Sequence, residues 1–298
     1  MRKFWLENEK GKIWNLTPKN PYDKRSSFFG EPEGFGIKTK ITSYEVENTC
    51  FIEEVETQSQ TIVGDLYFSD YDHFTAFVNF VGNINTKTPM KLYYSINGHS
   101  HDNPLESEWY KLVLINELKK SEIDYKTGFL KCEVKFACLS RWKKDKQIVL
   151  ELSRYGEPLV YPYYYPYYYG GSNNLAVDID NEGNLPTSCI IKVEAVTDTP
   201  FIRIIQDGEI LDQAKYNLIV KENSYLQIDS SPTKQEASLY TLVDGEYIRE
   251  DVYYIGEKDY TYSNFLTIPS GKSTLVFSAV NTDFGKVTIS YSIQKELV

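Results

Sequence analysis

Residues 161–171 form the run Tyr161-Pro162-Tyr163-Tyr164-Tyr165-Pro166-Tyr167-Tyr168-Tyr169-Gly170-Gly171, near the middle of the chain. Pro162 and Pro166 lack a backbone N–H and have a fixed φ, so the run is incompatible with a helix or a central strand. We predict an extended, partly polyproline-like connector. Its tyrosines suit a packed surface better than a flexible linker, which is built from glycine and serine. The run therefore divides the chain into two halves, and its rings either contact a neighbouring molecule or cover the adjacent sheet of the same chain.

The composition is that of a soluble globular protein, with 298 residues, 41% hydrophobic and 25% charged. This length is enough for two domains. No apolar run approaches the roughly 20 residues of a membrane-spanning helix, and residues 1–7 become acidic too early for a signal peptide. We therefore expect synthesis in the cytoplasm and no membrane insertion. The net charge of −10 argues against sequence-specific nucleic acid binding and against docking on an anionic membrane.

The cysteines are Cys50, Cys132, Cys138 and Cys189, and no two have the Cys-x-x-Cys spacing of zinc or redox motifs. Cys132 and Cys138 lie an even number of residues apart in a stretch of alternating apolar residues. We predict that both lie on one face of a strand as small buried hydrophobes. All four cysteines are predicted to be reduced and structural.

The first half, residues 1–152, is predicted to be a β-domain with one helix. It opens with a hairpin whose turn is Asn8–Gly11. A loop rich in glycine and proline follows and carries Phe28, Phe29 and Phe35, which either contact another molecule or fold back over a core. Further strands are predicted over residues 37–46, 50–56, 61–68, 90–96, 109–118 and 128–139.

The helix is predicted over about residues 69–82. Ser69 caps its start, with Asp72 three residues later, and Gly82 ends it. Apolar residues between them recur at spacings of three and four, which predicts one stripe that packs on the sheet. The residues of this stripe are His73, Phe74, Phe77, Val78 and Val81.

The second half, residues 153–298, is predicted to be a β-sandwich, because short strand-like runs alternate with turns and no long helical pattern occurs. The predicted strands span residues 175–179, 187–195, 201–205, 216–220, 224–228, 240–242, 252–254, 265–268, 273–279 and 286–293.

Motifs for metal or cofactor chemistry are absent or weak. The acidic turn at Asp178, Asp180 and Glu182 resembles the start of a calcium loop, but the twelfth position is Cys189 where calcium needs a carboxylate. His99 and His101 occur in a polar loop without the further ligands of a closed zinc site. We interpret both segments as solvated turns and predict no cofactor.

Catalytic motifs are likewise lacking, since no nucleophile elbow, metalloprotease motif, phosphate-binding loop or dinucleotide fingerprint occurs. A glycosidase pair of carboxylates is set by the fold and not by sequence spacing, so the sequence leaves that alternative open. The acidic residues nearest in sequence to the aromatic run are Glu151, Glu157, Asp178 and Asp180. We predict that the protein is not an enzyme.

The order of these features resembles the distal tail proteins of siphophages that infect Gram-positive bacteria. No single segment is diagnostic, whereas the order and spacing of several segments carry the resemblance. They are the opening hairpin of residues 4–16, Gly34-Phe35-Gly36 with Thr39-Lys40-Ile41, residues 62–68 leading into the helix 71–81, residues 110–113 with 118–122 and 128–130, residues 136–142, the Tyr/Pro junction, and residues 266–272.

The resemblance implies a mostly β protein whose N-terminal domain closes, in six copies, into a ring with a central channel. The ring would join the tail tube to the tail-tip, lysin-like protein. The C-terminal domain would be a galectin-like sandwich on which receptor-binding or other baseplate proteins dock. The protein would then be part of the virion, at the tail tip.

We predict Phe28, Phe29, Phe35 and the turn at residues 8–11 as assembly contacts. The alternative function is a carbohydrate-binding module or adhesion protein that recognises cell-surface glycan. In that case Tyr163, Tyr165 and Tyr167 would form a platform for glycan, or equally for a protein partner, since aromatic rings stack on apolar faces.

Overall fold

The computed structural model describes residues 2–20, 22–82, 88–95, 108–152, 175–257, 261–262 and 264–298. The chain divides into two units, of which the first is Met1–Lys144 with Lys295–Val298 and the second is Asp145–Gln294. The sequence predicted a boundary at residues 152/153, eight residues later. The difference arises because one strand, Trp142–Leu152, runs across the division and gives no break in pattern.

The first unit contains ten strands and one helix among the described residues. They are β1 (Lys3–Glu7), β2 (Ile13–Asn15), β3 (Phe28–Glu33), β4 (Thr39–Val46), β5 (Thr49–Thr57), β6 (Thr61–Phe68), α1 (Tyr71–Val81), β7 (Met90–Ser95), β8 (Trp109–Leu118), β9 (Leu130–Cys138) and the start of β10 (Trp142–Leu152).

Seven of these strands form an antiparallel sheet in the order β2-β1-β7-β8-β9-β6-β3. The two ends of this order meet, because the N–H of Phe29 on β3 donates to the carbonyl of Leu16, just after β2, at 2.9 Å. The N–H of Ser27 donates to Asn15 in the same way. The sheet thus closes into a small barrel, which removes the exposed edges of an open sheet.

Every second side chain of the barrel strands points into the barrel and fills its interior. On β9, Leu130, Cys132, Val134, Phe136 and Cys138 are all buried, and the residues between them are not. This confirms the prediction that Cys132 and Cys138 share one strand face. Burying a side chain of leucine or phenylalanine size stabilises a fold by about 1.5–3 kcal/mol, so this interior dominates the stability of the unit.

Helix α1 packs on the barrel through His73, Phe77 and Val81, which are its buried residues. Its cap is Asp70, one residue after the predicted Ser69, and Asp70 Oδ1 accepts the N–H of His73 at 2.7 Å. Gly82 ends the helix at φ 72°, as predicted. None of the described helices is long and apolar enough to cross a membrane.

Strand β3 corrects the prediction of a loop at residues 28–33. Glycine and proline in this segment suggested a turn, yet β3 pairs with β6 and only shifts register between Gly30 and Glu33. Pro32 lies within this shift, where a missing N–H is tolerated. Alternation along β3 then directs Phe29 into the core.

The second unit contains the rest of β10 and the remaining strands. They are β11 (Leu175–Asn181), β12 (Thr187–Asp198), β13 (Phe201–Gln206), β14 (Glu209–Tyr216), β15 (Ile219–Val220), β16 (Ser224–Asp229), β17 (Glu236–Val243), β18 (Glu246–Asp251), β19 (Gly256–Glu257), β20 (Thr267–Ile268), β21 (Gly271–Ser278) and β22 (Asn281–Lys295), whose last residue belongs to the first unit. A strand was predicted over residues 252–254, but Tyr253–Ile255 form a 3-10 turn.

Two antiparallel sheets build this unit. One has the order β18-β17-β16-β12-β22, with β15 and β20 also paired to β12, and the other has the order β11-β21-β13-β14-β19. Burial alternates on both, for example at Ile191 and Val193 on β12 and at Leu275 and Phe277 on β21. One apolar face per sheet is the pattern of a β-sandwich, as the sequence predicted.

Candidate assembly surfaces

The aromatic residues predicted as assembly contacts are placed differently from one another. Phe28 is 40% exposed, whereas Phe29 is 3% exposed and packs edge-on against Phe4. Phe35 is half-buried and stacks on Trp142, with ring centres 6.0 Å apart. Phe29 and Phe35 were predicted as contacts because they were expected to be exposed. Phe29 is buried and Phe35 is only partly exposed, because both rings pack in the barrel core. Phe28 remains a predicted contact.

The turn at residues 8–11 is fixed by hydrogen bonds. Asn8 Nδ2 donates to the carbonyl of Phe80 at 2.7 Å, and Asn8 Oδ1 accepts the N–H groups of Lys10 and Lys12. Asn8 thus ties the opening hairpin to helix α1. The tip at Lys10 and Gly11 is exposed and remains a predicted contact.

A more prominent surface is the hairpin of β4 and β5, which we call the arm. The two strands pair with each other over their whole length and with no other described strand. Glu47 and Asn48 form the turn at φ 47° and 63°, the left-handed pair that a tight hairpin requires. Every residue of the arm is exposed except Thr42, which is half-buried.

The arm carries apolar side chains on both of its faces. Ile41 faces Val55 across the ladder on one side, and Tyr44 stacks on Phe51 on the other, with ring centres 5.6 Å apart. Ile52, the most exposed of these side chains, is 65% exposed. An isolated two-stranded hairpin is marginally stable in water, and exposed apolar patches mark interaction sites. The arm is therefore the candidate interaction surface of the first unit.

A cavity of about 310 Å³ lies at the base of the arm. Its walls come from the end of β5, from β8, from the β9–β10 connection and from the C-terminal residues. Six of the lining residues are Thr57, Gln60, Lys111, Cys138, Arg141 and Glu296.

Lys111 is the unusual residue of this cavity. Lys111 is 2% exposed. It lies on the same face of strand β8 as the buried residues Val113 and Ile115, and this face points into the barrel. Its Nζ donates to Gln60 Oε1 and lies 5.1 Å from the ring centre of Trp142. Burial lowers the pKa of the Lys111 ammonium, because removal from water disfavours the charged form.

The neighbouring charges of the cavity pair with each other. Arg141 Nε lies 2.6 Å from Glu296 Oε1, which occupies that carboxylate. Within the part of the chain that the structure describes, no carboxylate lies within ion-pair distance of Lys111. Lys111 thus contacts a neutral amide oxygen and an aromatic face, and the charge of Glu296 acts on it only from a longer distance.

The outer face of the second unit carries a tyrosine cluster. Tyr225 and Tyr240 lie opposite each other on β16 and β17 and stack with ring centres 4.7 Å apart. Tyr247 contacts Tyr225 edge-on, and Lys192 Nζ lies 4.1 Å from the Tyr225 ring centre. The predicted platform of Tyr163, Tyr165 and Tyr167 lies outside the described residues.

The other candidate sites have structural roles where they are described. Asp178 is a residue of strand β11, and its Oδ1 accepts a hydrogen bond from Thr274 at 2.9 Å. His73 is buried beneath the helix. His99 and His101 lie outside the described residues. In the described ranges, no three His, Cys, Asp or Glu side chains are grouped so as to hold a metal ion.

Residues 3–139 match the family model of the distal tail protein, N-terminal domain. This range covers the barrel strands β1–β3 and β6–β9, the arm and helix α1. The first unit belongs to the distal tail protein family. A chain with this domain has a structural role in a phage tail and is part of the virion.

Solved structures of phage proteins share the fold of this chain over its whole length. A chain of the phage P2 baseplate, in its activated conformation with Ca, aligns over 100% of both chains with a TM-score of 0.60 and 14% identity. The crystal structure of SPP1 Dit, described as a hub of the adsorption apparatus in phages that infect Gram-positive bacteria, aligns over 98% of both chains with a TM-score of 0.54 and 10% identity. No curated protein matches the chain.

Proposed function

We propose that this chain is, over its full length, a distal tail protein: a tail-tip hub that self-associates into a closed ring, with six copies as the expected number. The ring would join the tail tube to the tail-tip protein, and the second unit would anchor receptor-binding or other baseplate proteins. This role is that of a scaffold without catalysis. The host would be a Gram-positive bacterium and the phage a siphophage.

The arm is the observation that carries this proposal. A ring requires a heterologous contact, in which one surface of a subunit binds a different surface of the next. The arm provides one half of such a contact, because its apolar side chains are exposed on both faces within the chain itself. Covering them on a neighbouring copy would gain about 25 cal/mol for each Å² of apolar surface removed from water.

Electron microscopy of negatively stained protein, with light scattering for the mass in solution, tests this proposal. We expect the wild-type protein to form rings and the double variant Ile52→Asp/Val55→Asp to remain monomeric, because a charged arm resists burial. The matched control is Leu211→Asp/Ile219→Asp, which changes two exposed apolar residues of the second unit. Rings formed equally well by the arm variant would contradict the proposed role of the arm.

A second candidate function is binding of cell-surface glycan by the second unit. The cluster of Tyr225, Tyr240 and Tyr247 supports it, because aromatic faces bordered by polar groups suit sugar rings. The polar groups nearby include Arg249, whose Nη2 lies 2.8 Å from Glu236 Oε2. Galectin-like describes the predicted shape of this unit and does not by itself imply sugar binding.

Glycan binding is tested with the full-length protein and a panel of bacterial wall polysaccharides in solution. We expect Tyr240→Ala/Tyr247→Ala to abolish any binding by the wild-type protein. The control is Tyr44→Ala, which removes an exposed tyrosine of the arm. Equal binding by the cluster variant would direct attention to Tyr163, Tyr165 and Tyr167, the platform predicted from sequence.

A further inference from the structure

The cavity at the arm base contains two cations, Lys111 and Arg141, and one carboxylate among the described residues, Glu296, which pairs with Arg141. Lys111 occupies an inward-facing position of a barrel strand, where alternation otherwise places Val113 and Ile115. Transfer of an ammonium out of water costs several kcal/mol unless a counter-charge lies nearby. A lysine at such a position is stabilised if a carboxylate reaches it from outside the chain.

The arm carries the complementary charge. Between Thr39 and Thr57 the sequence has five glutamates and one lysine, Lys40. Lys40 lies opposite Glu56 near the arm base, whereas Glu45 lies just before the turn at the arm tip and Glu47 lies within it. Among the described residues, no lysine, arginine or histidine lies within ion-pair distance of these two tip carboxylates.

The arm tip of a chain cannot reach the cavity of the same chain. Thr57 is both the last residue of β5 and part of the cavity wall. The strand from Thr57 to Thr49 spans about 26 Å at 3.3 Å per residue, and it is paired with β4 throughout. The tip therefore lies about 26 Å from the cavity of its own chain, and an arm-tip carboxylate that enters this cavity comes from another molecule.

We propose that the Lys111 cavity receives an arm-tip glutamate, Glu45 or Glu47, of a second copy of this chain. This inference rests on the proposed self-association and names the surface that receives the arm. The contact is heterologous, because the arm tip of one copy binds the cavity of the next copy. Repeating this contact produces a closed ring when the rotation between copies allows closure. A cavity of about 310 Å³ is large enough for one acidic side chain and its neighbours.

The ion pair would supply register as well as affinity. The apolar side chains of the arm do not by themselves fix where the arm binds along the neighbouring copy, because hydrophobic association is not directional. One carboxylate that must meet one buried ammonium fixes how far the arm slides along the neighbouring copy. A single buried polar pair specifies register in this way in coiled coils.

Zero-length cross-linking tests the inference directly. A water-soluble carbodiimide joins a carboxylate to an amine without a spacer, and therefore only where the two groups are in contact, so it is applied to assembled protein mixed from ¹⁴N and ¹⁵N copies. We expect a cross-linked peptide pair that contains Lys111 and either Glu45 or Glu47, with one isotope in each peptide. Rings that lack this mixed-isotope product overturn the inference and leave the hub proposal intact.

The variant Lys111→Met supplies a second readout. It removes the buried charge while keeping an apolar chain of similar length, so the unassembled chain should gain stability or keep it. Its self-association should nevertheless weaken at least about 30-fold, since truncating one partner of a buried charge pair costs 2 kcal/mol or more. The control Lys91→Met changes a lysine of the neighbouring strand that is paired with Glu7 at 3.8 Å.

The outcomes separate the two proposals. Glu45→Gln/Glu47→Gln should weaken self-association as Lys111→Met does, and Glu53→Gln/Glu54→Gln should not. Rings that assemble with unchanged affinity in Lys111→Met overturn the cavity as the receptor for the arm. A wild-type protein that forms no oligomer at any concentration overturns both this inference and the ring.

Discussion

His73 Nε2 donates to the backbone carbonyl of Ser26 and so links helix α1 to the segment before β3. The N–H of Ser69 donates to His73 Nδ1 at 3.2 Å, which places the imidazole proton on Nε2. The ring is fully buried and packs between Phe68 and Trp14. Both nitrogens are engaged, so His73 is a structural residue that holds the helix on the barrel.

We expect His73→Ala to destabilise the first unit by about 2–4 kcal/mol, since it removes a buried ring and leaves the Ser26 carbonyl without its donor. All four tryptophans, Trp5, Trp14, Trp109 and Trp142, belong to this unit, so urea unfolding followed by tryptophan fluorescence reports on it alone. Asn79→Ala, at an exposed position of the same helix, should change the free energy of unfolding by less than about 0.5 kcal/mol. Equal effects of the two variants would contradict this role of His73.

Two glycines near the arm should differ sharply in their tolerance of a side chain. Gly34 has φ 92°, and an added Cβ would lie 2.1 Å from the carbonyl oxygen of Thr61, whereas a Cβ at Gly36 meets nothing within 4 Å. We expect Gly34→Ala to destabilise the first unit by more than about 1 kcal/mol and Gly36→Ala to be neutral or slightly stabilising. Urea unfolding by tryptophan fluorescence measures both. A stable Gly34→Ala protein would mean that β3 and β6 separate at low cost.

The sequence predicted those parts of the fold that depend on local pattern. Spacing alone located helix α1, but the capping-box spacing of Ser69 and Asp72 indicated a cap one residue before the actual cap, Asp70. Strand β3 was missed because glycine and proline mark a turn unless a partner strand with a register shift accommodates them. Strand β10 was missed because its first part, Lys143-Lys144-Asp145-Lys146, lacks apolar alternation.

The candidate site was harder to predict, since it depends on what surrounds a strand. The arm strands have the β-branched and aromatic residues of any sheet, and nothing in residues 39–57 reveals that no third strand among the described residues pairs with them. Lys111 follows Tyr110 in an apparently ordinary strand, where a lysine normally marks the solvent side. Only closure of the barrel places it inside.

The cap of helix α1 should give the first unit a measurable acid dependence. The N–H of His73, followed by the hydroxyl of Ser69, lowers the pKa of Asp70 below its ordinary value. A carboxyl whose pKa is lower in the folded state stabilises that state above its unfolded pKa, and this stabilisation is lost as the pH falls through the folded pKa. We expect this loss from about pH 4 downward.

Two substitutions of Asp70 separate the cap from its charge. Asp70→Ala should lower the free energy of unfolding at pH 7 by about 1 kcal/mol, whereas Asp70→Asn keeps an oxygen that accepts the His73 N–H and should cost less. Both variants should remove the contribution of Asp70 to the pH dependence of the free energy of unfolding. Urea unfolding by tryptophan fluorescence at pH 7 and pH 3 checks this. An unchanged acid dependence in Asp70→Asn would assign it to other carboxyls.

The cysteines should differ in reactivity and so report on the arm. Burial raises the pKa of the thiols of Cys132 and Cys138 and raises that of Cys189 to about 12, so these three are poor nucleophiles. Cys50 is exposed on the arm opposite Glu45, which corrects the expectation that all four cysteines are structural. We expect a maleimide to label one thiol rapidly in the unassembled native protein, and Cys50→Ser to abolish this rapid labelling.

Assembly should protect that same thiol, because Cys50 lies beside the tip that the neighbouring copy would cover. The labelling rate of Cys50 is measured by mass spectrometry on monomer and ring fractions of one preparation, with urea-unfolded protein as the reference for full reactivity. We expect labelling at least about tenfold slower in rings, since a buried thiol is shielded from the reagent. Equal rates in both fractions would show that the arm tip stays in solvent and would move the contact between copies to another surface, with Phe28 and the turn at residues 8–11 as the next to test.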